Sequence, residues 1–362
     1  MFLAVFSVVY FGMHYFIYLR VAAGLSLGFK ELLFLKIVLV AGSTAFFAGM
    51  FYRAFPPLFA LLRAGNVWLG IIAITFAVLM AKMPLDFIFP AQVKPFTVAA
   101  TALAILLSGY SLYNVSNGPR VRELRIPVKN LSAGADGIRL AHVSDLHLSR
   151  LKDAAWLEGV VSAVNAQKPD IVVITGDLID DDTGGLQPFV PVLKKLTSKY
   201  GVFAVPGNHD HYSVLDNMRV FARQSGIRVL ENEKVAVGGA VTLLGVDDEN
   251  GAVMDEYRDF LGKTLKGERL PVVLLKHRPV EFGEAADAGV FLQLSGHTHA
   301  GQIPPLDLIV RLIFRYPYGL YQRGGSYIYT TCGTGTWGPP MRLFSRSEIA
   351  VITLFPQTPK IN

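Results

Sequence analysis

The chain has 362 residues, of which 52% are hydrophobic and only 17% charged, a balance that excludes a purely aqueous globular protein. Its formal net charge of +6 comes without a compact basic stripe interleaved with aromatics, so nucleic acid is not an expected partner. A single cysteine, Cys332, excludes an intramolecular disulfide and a cysteine-rich zinc site.

The apolar excess has an address. Residues 1–19, about 32–52, about 67–85 and about 96–113 are runs close to the ~20 residues that a helix needs to cross a bilayer core. His14 and Lys36 interrupt two of them, and a polar group inside a span is costly unless it snorkels or meets a partner helix. The first run lacks the basic leader and small-residue cleavage site of a secretory signal, so it reads as a retained helix. Residues 1–113 are therefore expected to form a transmembrane helical region of about four spans. A basic juxtamembrane linker is expected over 114–135, where Arg120, Arg122, Arg125 and Lys129 arrive together. Four spans put both termini on one side, with Arg53, Arg63 and the basic cluster. Arg20, Lys30, Lys82 and Lys94 fall on the other, so the positive-inside rule tilts the C-terminal domain toward the cytoplasm.

From about residue 130 onward, short β-branched runs alternate with helical patterns. Residues 137–143, 170–175, 202–205, 241–245, 271–275 and 290–294 read as strands, and 156–166, 188–199 and 215–223 as helices between them. Two later runs, 327–331 and 349–354, read as further strands. The predicted class is α/β: N-terminal transmembrane helices followed by a layered domain over 136–362, with two mixed β-sheets sandwiched by helices.

Five of the eight histidines lie in five short motifs, each just after a predicted strand, where α/β sheets place ligand sites. In Asp145-Leu146-His147 the two donors are two residues apart and can converge on one cation, although the triplet alone is equally a surface turn. Gly176-Asp177 ends an apolar strand. A carboxylate there needs a partner to offset its desolvation, and the glycine removes a Cβ that would crowd a carboxylate shared by two metals. Gly207-Asn208-His209-Asp210 supplies an amide oxygen beside an imidazole, or else a capped turn. Lys276-His277 ends another apolar run, and Gly296-His297-Thr298-His299 repeats the every-other-residue spacing. His142 reads as a packing residue within a strand. Each motif has a bland reading; the five in this order together point to a metal-dependent hydrolase.

This constellation resembles the calcineurin-like metallophosphoesterase superfamily over about residues 138–355. Ser144-Asp145-Leu146-His147, the run from Ser295 to Gln302, Gly333-Thr334-Gly335 and Met341-Arg342 resemble a bacterial membrane-associated branch that includes UDP-2,3-diacylglucosamine hydrolases. The resemblance implies two divalent metal ions. Asp145, His147, Asp177 and His299 would hold one, and Asp177, Asn208, His277 and His297 the other, with Asp177 bridging. It also implies His209 as the acid for the leaving oxygen, with Asp210 orienting it. Carboxylate, imidazole and amide donors without thiolate suit manganese, iron or zinc. The motif Lys276-His277-Arg278-Pro279 departs from the His-Asn or His-Asp pair of many relatives. Arg278 and His211 are candidates for contacting substrate, or else solvated loop residues.

Residues 303–321, directly after the last histidine motif, are unusually apolar but carry Arg311 and Arg315. The composition fits either a segment lying at a membrane interface or a buried lid helix. The expected function is hydrolysis of a phosphoester or pyrophosphate bond in a lipid-linked substrate such as UDP-2,3-diacylglucosamine, by a multi-pass protein of a bacterial inner or plasma membrane. The lipid bilayer and that phosphorylated molecule are the expected partners. The alternatives are a phosphodiesterase or phosphatase acting on soluble nucleotides or phosphoproteins, and a non-catalytic membrane scaffold with a metal-binding domain.

Overall fold

A computed structural model describes residues 2–52, 55–129, 131, 137–181, 183–247 and 254–357. Arg53 and part of the expected linker, residues 130 and 132–135, lie outside them. The chain forms two compact units. One comprises Met1–Asn117, Gly301–Ile309 and Trp337–Phe344, and the other Gly118–Ala300, Val310–Thr336 and Ser345–Asn362.

The first unit contains α1 (Phe2–Leu25), α2 (Phe29–Gly49), α3 (Phe59–Ile88) and α4 (Val93–Ser116). All four are long and apolar enough to cross a membrane, so the protein is a multi-pass membrane protein. The two polar interruptions are both accommodated. His14 is buried, donating from Nδ1 to the Tyr10 carbonyl at 2.7 Å and accepting from Trp68 Nε1 at 2.9 Å. Lys36 lies over the Tyr18 ring, 5.4 Å from its centroid. Small residues let α2 and α3 approach closely: a Cβ on Gly49 would strike the Leu62 backbone, and one on Gly65 the Phe46 backbone.

The second unit holds twelve strands among the described residues: β1 (Arg120–Val128), β2 (Ile138–Val143), β3 (Ile171–Thr175), β4 (Val202–Val205), β5 (Arg228–Val229), β6 (Glu233–Val237), β7 (Val241–Val246), β8 (Val272–Lys276), β9 (Val290–Ser295), β10 (Gly319–Arg323), β11 (Ser326–Thr330) and β12 (Glu348–Pro356). They make two mixed six-stranded sheets, ordered β1-β12-β2-β3-β4-β5 and β10-β11-β9-β8-β7-β6. The inner faces share one core, with Leu140, Val173 and Ile352 from the first sheet and Leu243, Val273 and Leu294 from the second. Helices Ala154–Ala166 and Leu215–Gln224 cover the outer face of the first sheet through Val160, Val164, Met218 and Phe221. Helix Met254–Thr264 covers the second through Tyr257 and Leu261. Every strand expected from the sequence is present within two residues at each end, because each carries the β-branched run that a doubly covered strand needs.

Two expectations differ from what forms. The basic stretch read as a linker contributes β1, an edge strand paired in parallel with β12 over nine positions. Its inward residues Ile126 and Val128 are buried, Arg122 lies over the Tyr318 and Tyr329 rings, and Pro127 is tolerated because only one side of the strand is paired. The helix expected over 188–199 is only a 3₁₀ turn, Gln187–Phe189, and one α turn, Val190–Leu193. Pro188 and Pro191 each lack an N–H, which stops a longer ladder.

Candidate metal centre

β2, β3 and β4 run parallel, as do β7, β8 and β9, so the chain leaves β2, β3, β4, β8 and β9 at the C-terminal ends of parallel strands. All five motifs sit there. Asp145 and His147 follow β2, Asp177 follows β3, Asn208 and His209 follow β4, His277 follows β8, and His297 and His299 follow β9. The backbone turns sharply at these points. Asp145, His147, Asp177, His297 and His299 all have positive φ, between 48° and 69°, a region that non-glycine residues enter at a cost. Five such residues at one rim mean that the surrounding fold holds donors where local preference would not.

Glycines clear the space around them. A Cβ on Gly207 would collide with the Asp177 carboxylate, and one on Gly296 with Asp145 and Ser144. Gly176 also makes room, but for the His277 ring rather than for the Asp177 carboxylate beside it in the sequence. Its φ of +81° adds a second reason for glycine.

The donors form two groups. Asp145, His147 and His299 place ligand atoms within 4.8 Å of one another, as do Asp177, His277 and His297. In the first group the Nε2 atoms of His147 and His299 are 3.1 Å apart, and Asp145 Oδ1 is 3.5 Å from His299 Nε2. In the second, His277 Nε2 lies 3.2 Å from His297 Nδ1. One oxygen, Asp177 Oδ2, is 3.7 Å from His147 Nε2 and 3.2 Å from His277 Nε2, and so stands between the groups.

Hydrogen bonds on the far side of the rings fix which nitrogen faces inward. His147 Nδ1 is 2.9 Å from Asp180 Oδ1, and His277 Nδ1 donates to the Thr175 carbonyl at 2.9 Å. Each leaves Nε2 as the donor atom for a cation, the arrangement that metal-bound histidines use. Asn208 Oδ1 is buried and accepts no hydrogen bond, a costly condition that a cation relieves. The residues therefore fit a dinuclear site of oxygen and nitrogen donors.

The electrostatics agree. Burial pushes the Asp145 carboxyl up, with the His277 charge opposing it. Asp177 is also driven up by burial, yet the charge and hydrogen bond of His277 override this and hold it well below the usual carboxylate range. Burial would lower His147, but the Asp180 carboxylate raises it. These opposing charges occupy one water-poor pocket, where added cations have most effect.

His209 is partly exposed, and one of its ring nitrogens forms a third group with His147 and Asp177, ligand atoms within 4.8 Å of one another. Its side chain is 19% exposed, its Nδ1 is 2.9 Å from Asp180 Oδ1, and its ring meets His147 edge-on at 4.8 Å. Asp180 therefore spans His147 and His209, and the two imidazoles hold its carboxyl below the usual range against the effect of burial. The sequence reading missed this residue. Its only signal is an acid three positions after Asp177, which by itself reads as a solvated charge.

Asp210, expected to orient His209, bonds to main chain. Its carboxylate accepts from the backbone N–H groups of Gly207, Leu178 and Ile179, at 2.8, 3.3 and 3.0 Å, and so ties the loop after β3 to the loop after β4. Those bonds engage both Asp210 oxygens with main chain, and the carboxylate at hydrogen-bond distance from His209 Nδ1 is that of Asp180. Burial and the neighbouring Asp177 charge raise Asp210 to about 7, opposed by the three N–H donors. His211 turns to Asp247, with Nε2 2.9 Å from Oδ1. Arg278 directly follows His277 and is half-buried, its carbonyl accepting from Val280 N. His142 packs as expected, fully buried with Nε2 2.7 Å from the Thr175 hydroxyl.

Residues 138–301 match the calcineurin-like phosphoesterase family. An uncharacterized metallophosphoesterase of Helicobacter pylori strain J99 is 32% identical over 338 residues, covering 89% of this chain and 88% of that one. A transmembrane protein with a metallophosphoesterase domain from Danio rerio is 34% identical over 275 residues, 71% of this chain and 62% of that one. Among solved structures, a dimetal phosphatase from Danio rerio is similar at 13% identity and a TM-score of 0.39, over 61% of this chain and 93% of its own.

Proposed function

Because the chain belongs to the calcineurin-like metallophosphoesterase family, we propose that its dinuclear site hydrolyses a phosphoester or pyrophosphate bond in a lipid-linked substrate. The observation that carries the reading is a complete donor set in the same chain as four membrane-crossing helices and an exposed apolar helix, Leu306–Ile313, seven residues after His299. Asp145, His147, Asp177 and His299 would hold one cation, and Asp177, Asn208, His277 and His297 the other, with Asp177 Oδ2 shared. Bound divalent cations supply Lewis-acid charge and a water acidic enough to attack phosphorus at neutral pH. Manganese, iron and zinc suit these donors.

The chain's own part in the reaction is proton delivery and positioning. His209, with Nδ1 engaged by Asp180, presents Nε2 as the acid for the leaving oxygen. Asp180 fixes the rings of His147 and His209 together, so the donor that helps hold a cation and the acid keep a constant spacing. Arg278 is assigned to the substrate phosphate, and His211, braced by Asp247, to the rim of the substrate pocket. The catalytic domain is assigned to the cytoplasm, the side of the basic cluster that follows α4.

The test is a metal-supplemented screen of the full-length protein in detergent against bis-p-nitrophenyl phosphate, p-nitrophenyl phosphate and UDP-2,3-diacylglucosamine. Preference for the lipid supports the proposal. Turnover confined to the soluble esters would move the assignment to soluble nucleotides or phosphoproteins.

A further inference from the structure

The helical unit contains more than its four helices. Gly301–Ile309 and Trp337–Phe344, which are distant in sequence from the spans, belong to it. Ile303 and Met341 share a buried cluster with Ala73 and Ile74 of α3. Asn114 near the end of α4 donates to the Arg342 carbonyl at 2.9 Å, and Arg342 N donates to the Ser111 carbonyl at 3.2 Å. Gln302 joins the two segments, donating to the Trp337 and Pro339 carbonyls at 3.0 and 2.8 Å and accepting from Trp337 N.

What these segments leave uncovered is apolar. Helix Leu306–Ile313 has no buried residue, and Leu308, Ile309, Leu312 and Ile313 are all exposed, Leu312 to 86%. Trp337 and Phe344 are exposed as well. At 100° per residue the helix presents an apolar arc broken only by Asp307 and Arg311. Arg311 and Arg315 are exposed and form no ion pair among the described residues. A lid packed on its own domain would bury the arc, and here it is bare.

We infer that helix Leu306–Ile313, with Trp337 and Phe344, is seated in the headgroup boundary of the bilayer that α1–α4 cross, with Arg311 and Arg315 on anionic lipid headgroups. The occupant follows from the membership of Leu306–Ile309, Trp337 and Phe344 in the unit that carries the spans, from an interfacial aromatic, and from two exposed cations without an ion-pair partner among the described residues. One residue past the helix, the Phe314 ring meets the His297 ring edge-on at 5.5 Å. The inference rests on, and deepens, the lipid-substrate reading.

The experiment uses full-length protein in nanodiscs of phosphatidylcholine with and without phosphatidylglycerol. Leu312→Cys, and separately Leu308→Cys, carries an environment-sensitive fluorophore, and Lys266→Cys serves as the aqueous control; Cys332 is buried. Nitroxide-bearing lipid should quench the Leu312 and Leu308 probes about threefold more than the control, with aqueous iodide showing the reverse order. Arg311→Ser with Arg315→Ser should weaken the lipid quenching only in discs with the anionic lipid. Iodide quenching of both helix probes equal to the control, without nitroxide quenching, would overturn the inference. So would a Leu312→Cys disulfide between two copies that replaces lipid quenching. The two readings fail separately. Lipid hydrolysis with Leu312 in water rejects the seated helix alone, whereas Leu312 in lipid with turnover only of soluble esters rejects the substrate class alone.

Discussion

Both units bury polar side chains, and the two sets end differently. In the helical unit Thr97 and Ser108 donate to carbonyls four residues earlier on the same helix, His14 is closed by Tyr10 and Trp68, and Lys82 by Asp86. In the phosphoesterase domain the buried donors are aimed at one another across loops, on backbone of positive φ, with Asn208 Oδ1 accepting nothing. A polar group satisfied by its own helix costs little and does nothing further. One held in strained backbone toward like groups is kept for something that is added later. The contrast separates structural polarity from chemical polarity without reference to composition.

The comparison breaks most visibly at Asp177. Asp177→Ala removes the oxygen that lies between both donor groups, so activity should fall to background and elemental analysis should find less bound metal. Near-normal turnover with full occupancy would mean that the two groups do not share it. A smaller effect is expected one layer out. His209→Ala should lower kcat by roughly 10² to 10⁴ with metal content retained, and the loss should shrink for a leaving group that needs no proton. Asp180→Asn should cost about 10- to 100-fold and, unlike His209→Ala, should also weaken metal retention, because it supports His147 as well. If it alters kcat alone, Asp180 serves the acid only.

The smallest effect should come from the helices. Trp68→Phe removes the donor to His14 Nε2 and should cost about 0.6 to 1.7 kcal/mol of stability, the range for hydrogen bonds between membrane helices, with kcat unchanged. A thermal melt and a rate assay on one preparation check both halves. A changed rate in a stable variant would place His14 among the chemical groups.

The strands and ligand motifs were legible because each is local: an apolar β-branched run, then a turn carrying Asp or His. What was not legible depends on distant partners. Arg120 and Arg122 read as linker charges, and become strand residues only because Tyr318 and Tyr329 arrive some two hundred positions later to lie against them. Asp180 and Asp210 carry identical side chains near the same loops. Which of them meets His209 is decided by how the loop after β4 closes on main-chain N–H groups, and no spacing encodes that. Gly176 was assigned to the wrong neighbour for the same reason: its open side faces β8, not the residue beside it. The segment 303–321 proved to be a short bare helix followed by the start of β10, a division its continuous apolar run concealed.

The place of β12 bears on how the protein is made. This strand, the last among the described residues, lies between β1 and β2, the first two described strands after the helices, parallel to one and antiparallel to the other. Its buried Glu348 accepts the hydroxyls of Tyr318, Tyr329 and Thr331. A growing chain therefore exposes β1 and an open edge of β2 throughout translation of nearly all the catalytic domain, while the hydrophobic helices are already available for insertion. Pairing at such sequence separation is slow, and open edges recruit other strands. Closure of this sheet thus waits for residues 348–356, and a message truncated before Glu348 should yield a membrane-inserted chain whose catalytic half is prone to aggregate or be degraded.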